Sequence, residues 1–189
     1  PGLGRCVPPS PRVSRFSHGL SELLAGAMMD GMKPVKRSVA VVVRRPGSRA
    51  GEFLVVRRPD DPDDPLAGVW GLPAVTLLDG EDEESAVVRA GRVKLGVELA
   101  VGARIGEKTA DRGGYTLRLA DYAASVVAGV PAVPQPDGSM TQYAECRFAA
   151  DPRALAEAAS RGSLCAQVFL EEQARAGGPG EPADRPSLG

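Results

Sequence analysis

One stretch constrains the fold more than any other. Trp70-Gly71-Leu72-Pro73 leads into a short apolar segment, Ala74–Leu78, and Asp79-Gly80 marks a turn. Asp82–Leu95 then has the make-up of a helix, closed by Gly96. Its acidic residues sit at the start, and Arg89, Arg92 and Lys94 follow further on, the order that a helix dipole favours. Glycine at position 96 is suited to the left-handed conformation that ends helices. Gly91, inside the helix, costs about 1 kcal/mol relative to alanine, and a close helix-to-sheet contact is its expected reason.

Strand-like runs surround this helix. Ser38–Val43 is a short β-branched run that ends at Arg44-Arg45, before a Pro46-Gly47 turn. Glu52–Val56 is a second strand, closed by Arg57-Arg58-Pro59. Residues 59–68 (PDDPDDPLAG) carry three prolines and read as a solvated turn rather than a metal-ligand cluster. Val97–Glu107 and Tyr115–Val127 flank an Asp111–Gly114 turn, residues 131–138 form a proline-rich loop, and Gln142–Phe148 is a further strand. Asp151-Pro152 starts a helical region, with Asp as the cap and Pro in the first turn. Leu164, Cys165, Val168 and Phe169 make one stripe of a final helix, which places Cys165 in the core.

Composition removes several mechanisms. The 189 residues carry 23 basic and 24 acidic side chains, a formal charge of −1, so there is no basic excess for gripping a nucleic acid. No apolar run approaches the roughly 20 residues of a membrane span. The single histidine, His18, lies in an irregular N-terminal stretch, which argues against a hydrolase with a histidine base. Cys6, Cys146 and Cys165 are far apart and odd in number, a pattern that fits a reducing, cytoplasmic setting. Of the basic residues only Lys33, Lys36, Lys94 and Lys108 are lysines. Residues 1–31 and 176–189 are expected to be disordered tails around a domain at 32–175. Met28, Met29 and Met32 are candidate starts of natural translation, which N-terminal sequencing of the native protein would test.

The order strand, strand, loop, Trp-Gly-Leu-Pro, short strand, acidic turn, helix, Leu-Gly, strands and C-terminal helix resembles the Nudix superfamily over about 32–175. The resemblance implies an α/β fold, a Nudix-type α/β/α sandwich with a mixed, curved sheet between helices. It also implies a diphosphate-type substrate, magnesium held by helix glutamates, and relatives that are often dimers. In this register Glu81, Arg89, Gly96 and Val97 match the family's box, whereas Val75, Ala90, Gly91, Val93 and Lys94 depart from it. Ala90, Val93 and Lys94 stand where the family has glutamates, which moves the local formal charge from −3 to +1. A lysine ammonium about 4 Å from a divalent ion repels it by several kcal/mol even at an effective dielectric near 20.

The expected function is therefore a Nudix-like protein that binds a nucleoside-diphosphate-type or other diphosphate ligand, with metal-dependent hydrolysis weak or lost. The expected ligand-binding residues are Arg57, Arg58, Arg89, Arg92, Lys94 and Trp70, since guanidinium forks suit phosphate oxygens. No metal is assigned to them. A bland alternative pairs Arg89 with a nearby acid such as Glu81, and puts Trp70 in the core. An active hydrolase is the competing reading, with Glu81, Glu84 and Glu107 as catalytic residues and Mg²⁺ or Mn²⁺ held outside the box. A ligand-free interaction module is a third. The expected partner is a small-molecule nucleotide or diphosphate, without nucleic acid or membrane, and with a homodimer left open.

Overall fold

The computed structural model describes residues 33–48, 51–133 and 143–176. The expectations for residues 1–31 and for the tail beyond Ala176 lie outside that range, as do His18, Cys6 and most of the loop at 131–138.

The elements run β1 (Val35–Val43), β2 (Phe53–Arg57), β3 (Trp70–Gly71), β4 (Ala74–Thr76), α1 (Glu83–Ala90), β5 (Glu98–Asp111), β6 (Thr116–Ala128) and β7 (Glu145–Ala149). A 3₁₀ turn at Pro152–Leu155 leads into α2 (Ala156–Ser160) and then α3 (Leu164–Ala176). The strands divide between two sheets rather than forming one. A mixed sheet has the order β4-β1-β6-β5, and a three-stranded antiparallel sheet has the order β3-β2-β7. In the mixed sheet β1 is parallel to β6 and antiparallel to β4.

β1 is covered on both sides, which is why it reads as an uninterrupted apolar run. Val39, Val41 and Val43 join one core with Ala86, Val87 and Ala90 of α1. Ala40 and Val42 join the other, with Phe53, Leu155, Cys165 and Phe169. Each valine so covered contributes about 1.5–3 kcal/mol relative to exposure. Phe53 and Phe169 meet with ring centroids 4.5 Å apart, tying β2 to α3. Cys165 is buried, as its place in the helix stripe predicts.

β1 begins three residues before the apolar run at Ser38, because Val35, Lys36 and Arg37 continue the parallel ladder against Thr116, Leu117 and Arg118. Backbone pairing here outlasts the burial that makes a strand visible in sequence. The segment expected as one helix over Asp82–Leu95 is two. Asp82 caps α1, its carboxylate accepting from the Ser85 amide at 2.8 Å. The last turn, Gly91–Leu95, has π geometry and ends at Gly96, whose φ of 64° is left-handed. Gly91 does mark a close approach: a Cβ there would lie 2.6 Å from Leu99 Cγ and 3.0 Å from the Val97 carbonyl oxygen.

β6 carries one anomaly. Ala120 and Tyr122 face the α1 side, so strand alternation turns Asp121 between them toward the α3 side. Its register partners are Ala40 and Gly106, neither of which offers a polar side chain. Asp121 is 0 % exposed, and neither carboxylate oxygen has a hydrogen-bond partner. Burial pushes its carboxyl up to about 8.

Candidate functional site: a cleft lined by cations

The π turn and the starts of β1 and β6 border a cleft of about 620 Å³. Among the described residues its charged lining consists of Lys36, Arg58, Arg89 and Lys94, without an aspartate or glutamate. Ser38, Thr76, Tyr115 and Tyr143 add hydroxyls.

Each cation is held by its own surroundings. Arg89 forms a fork with Glu81, Nε to Oε1 and Nη2 to Oε2 both at 2.7 Å, and its Nη2 also donates to the Thr76 carbonyl at 2.8 Å. The pairing of Arg89 with Glu81 is thus present, and Arg89 lines the cleft as well. The hydrogen bonds from Arg89 hold the Glu81 carboxyl below its ordinary range. Arg58 donates from Nη1 to Asp64 at 2.7 Å, which gives part of the PDDPDDP loop a structural duty. Lys36 Nζ lies 4.1 Å from the centroid of the Tyr115 ring.

Lys94 differs from the other three. It is only 5 % exposed, and its Nζ stands 5.5 Å from the Tyr143 ring centroid. Burial, then the positive charges of Arg58 and Arg89, pull its ammonium below the usual lysine range. Tyr143 is itself buried, its hydroxyl oxygen accepting from the Ala74 amide at 3.0 Å. Burial raises its phenol to about 12, so it stays protonated at neutral pH.

A smaller hollow of about 290 Å³ shares Arg58, Tyr115 and Tyr143 with the cleft, and adds Trp70, Leu72 and Leu164. Trp70 is partly buried against the core, with the Arg147 guanidinium 4.2 Å over its ring. Trp70 thus supports the core, as the bland alternative expects, and also lines this hollow.

The other expected ligand-binding residues lie elsewhere. Arg57 pairs with Asp60 and Glu145 and donates to the Gly68 carbonyl, and it lines neither hollow. Arg92 forks onto Glu98 on the exposed side of the π turn, outside the cleft. Adjacent side chains at a strand end face opposite ways, which explains why Arg58 lines the cleft and Arg57 does not.

The three expected catalytic carboxylates are dispersed in role. Glu81 is occupied by Arg89, and Glu84 is exposed at the start of α1. Glu107, on β5, binds Arg104 and accepts from Arg118 Nε at 2.9 Å, hydrogen bonds that lower its carboxyl. Glu83 accepts from Tyr122 Oη at 2.7 Å and from Arg37 Nη2 at 2.9 Å. Burial opposes its ionisation, but these bonds outweigh it and leave the carboxyl lowered. Glu81, Glu83 and Glu84 line a third hollow of about 1010 Å³ together with Arg37, Arg104 and Arg118.

At the three positions where the resemblance puts metal-binding glutamates, the residues present carry no oxygen donor on their side chains. Magnesium needs hard oxygen donors in near-octahedral order. The helix offers instead Ala90, fully buried, Val93, packed against the core, and Lys94. Among the described residues no group of three or more His, Cys, Asp or Glu side chains is placed to hold a metal.

The layered architecture is the Nudix fold, as the sequence resemblance implies. The solved structure of a MutT protein from Methanosarcina mazei matches it with a TM-score of 0.57 at 19 % identity, covering 77 % of this chain and 97 % of that one. The E. coli ORF135 protein matches with a TM-score of 0.56 at 23 % identity, covering 79 % and 96 %. The Nudix domain of Shewanella oneidensis NrtR, solved with ADP ribose, matches at 0.50 with 18 % identity, covering 84 % and 98 %. In sequence, the chain is 38 % identical over 86 residues to a Mycobacterium tuberculosis protein named "Putative 8-oxo-dGTP diphosphatase 2". That stretch is 44 % of this chain and 58 % of the relative, so the chain spans less than two thirds of the relative's length. No family model matches the chain. Among the described residues no helix is long and apolar enough to cross a membrane.

Proposed function

We propose that the chain binds a nucleoside-diphosphate-type or other diphosphate ligand in the cation-lined cleft, with metal-dependent hydrolysis weak or lost. The observation that carries this reading is the lining itself: among the described residues it brings four basic side chains together, with the carboxylates that hold Arg58 and Arg89 set outside the cleft. Such a surface attracts phosphate oxygens directly and repels the divalent ion that would otherwise mediate contact. The adjoining apolar hollow beside Trp70 supplies room for a less polar part of the same ligand. The named diphosphatase and the ADP-ribose complex of a Nudix domain support the choice of ligand class. We place this binding in the cytoplasm, from cysteines that are few, odd in number and far apart in the sequence.

Thermal shift and calorimetric titration with ADP ribose and a panel of nucleoside di- and triphosphates test it, each in EDTA and in Mg²⁺ or Mn²⁺. Binding should persist in EDTA and weaken with salt, without phosphate or monophosphate release in either metal. Metal-dependent release abolished by Glu84→Gln or Glu107→Gln would reject this reading in favour of a hydrolase whose metal ligands lie outside the box. No shift with any of these compounds would favour an interaction scaffold.

A further inference from the structure

The hollow of about 290 Å³ beside Trp70 shares Arg58, Tyr115 and Tyr143 with the cation-lined cleft, so the two spaces adjoin. Aliphatic side chains supply much of its wall: Val56, Leu66, Leu72, Leu117, Leu119 and Leu164. The polar side chains around them are engaged with the protein itself. Asp64 accepts from Arg58 Nη1 at 2.7 Å and from the Leu66 amide at 2.9 Å. Arg112 donates to the Gly162 carbonyl and Arg161 to Glu157, each at 2.7 Å. The Ser163 hydroxyl lies 3.2 Å from Cys165 Sγ, and the Tyr143 hydroxyl accepts from the Ala74 amide. Among the described residues, the buried side-chain polar atoms without a partner are the two Asp121 oxygens, and Asp121 does not line the hollow. The aromatic rings are engaged as well: Arg147 lies over Trp70, Lys36 over Tyr115 and Lys94 over Tyr143.

That lining discriminates between two kinds of diphosphate ester. A nucleobase carries several donors and acceptors, and here most would give up water to meet side chains already bonded to one another. Its ring would also compete with a cation for one face of each aromatic side chain. An alkyl chain gives up nothing polar and gains with every methylene that leaves water. We propose that the hollow takes a short aliphatic chain, so that the ligand is the diphosphate ester of an alkyl or alkenyl alcohol. Its anionic end lies in the cleft and its hydrocarbon end beside Leu66, Leu72 and Leu164. The proposal rests on the anion-binding reading of the cleft and narrows its ligand to a class without a base.

Titration of the full chain in EDTA with inorganic pyrophosphate, ADP and the methyl, butyl and hexyl diphosphates tests it. Trp70 is the chain's single tryptophan and lines the hollow but not the cleft, so its fluorescence reports the hydrocarbon end while calorimetry reports the whole ligand. Affinity should rise about fourfold per added methylene from methyl to hexyl, and ADP should bind more weakly than hexyl diphosphate. Hexyl diphosphate should move the Trp70 emission to shorter wavelength, and pyrophosphate should leave it in place. Leu66 is half-buried and lines the hollow alone, so Leu66→Asn should weaken hexyl diphosphate by roughly fivefold without changing pyrophosphate affinity. If that variant does not fold, the alkyl series on the unaltered chain decides. Pyrophosphate binding with equal affinities along the series, or ADP binding tighter than hexyl diphosphate, overturns the aliphatic site and leaves the diphosphate reading standing. No binding of pyrophosphate, with the same gain per methylene in the plain alcohols or no binding of any ester, overturns the diphosphate reading and the proposal with it.

Discussion

Replacing Asp121 with asparagine should make the protein more stable, by an amount that grows with pH. The carboxyl lies wholly inside the layer between β6 and the C-terminal helices, and neither oxygen is hydrogen-bonded. Its folded pKa of about 8 compares with 3.8 for the exposed group. Below pH 4 both states are protonated and the group has no pH-linked cost. Between pH 4 and 8 the unfolded chain releases the proton while the folded chain retains it, so stability falls by about 1.4 kcal/mol per pH unit. Above pH 8 both are ionised and the loss levels off. At pH 7 the accumulated penalty is about 4 kcal/mol, an upper figure because relaxation and water entry soften the cost of a buried charge. Asparagine keeps the shape and does not titrate. Its own unsatisfied amide costs a constant amount, so the slope is what discriminates. Urea unfolding of both proteins at pH 5, 6, 7 and 8 reads the difference directly. A stability difference that stays flat across that window would refute the reasoning, because it would mean that Asp121 ionises in the folded chain as readily as in the unfolded one.

Three further outcomes follow from the same geometry. Arg89→Ala should lower stability by about 1–3 kcal/mol, because it strands a part-buried Glu81 carboxylate, and a double-mutant cycle with Glu81→Gln should return at least half of that as coupling; strict additivity would count against the fork. The same Arg89→Ala variant should lose more in diphosphate affinity than in stability, checked by titration beside a melt; the reverse order would reject Arg89 as a ligand contact. Gly91→Ala should lower the melting temperature, since a Cβ 2.6 Å from Leu99 Cγ costs about 1–3 kcal/mol of overpacking against a gain of about 1 kcal/mol in helix propensity. A raised melting temperature would show that Leu99 yields freely.

The parts of the fold visible in the sequence are those specified locally. Asp82 and Gly96 bracket the helix through their own backbone chemistry, and the approach marked by Gly91 is legible because a glycine in a helix needs a reason. The Arg89–Glu81 fork is also readable, since both residues bracket one helix. The cleft is not local. Lys36 reaches it from the first strand, Tyr115 from the start of β6 and Tyr143 from before β7. Spacing along the chain cannot reveal that meeting. The π turn escaped because nothing in Gly91–Leu95 distinguishes a widened turn from an ordinary one. Asp121 had one signal, an acid within an apolar alternation, and it was missed because long strands usually expose one face.

The burial of Ala90 limits how this helix could be re-engineered. Exchanging Lys94 alone for an acid would leave one carboxylate beside Val93, too few oxygens to retain a hard ion. Exchanging Ala90 would start a charged side chain from a point with no exposed surface, among Val39, Val87 and Leu95. Each single exchange is thus unrewarded or harmful, so building a metal site into this helix would take several exchanges made together, with the core around position 90 repacked at the same time.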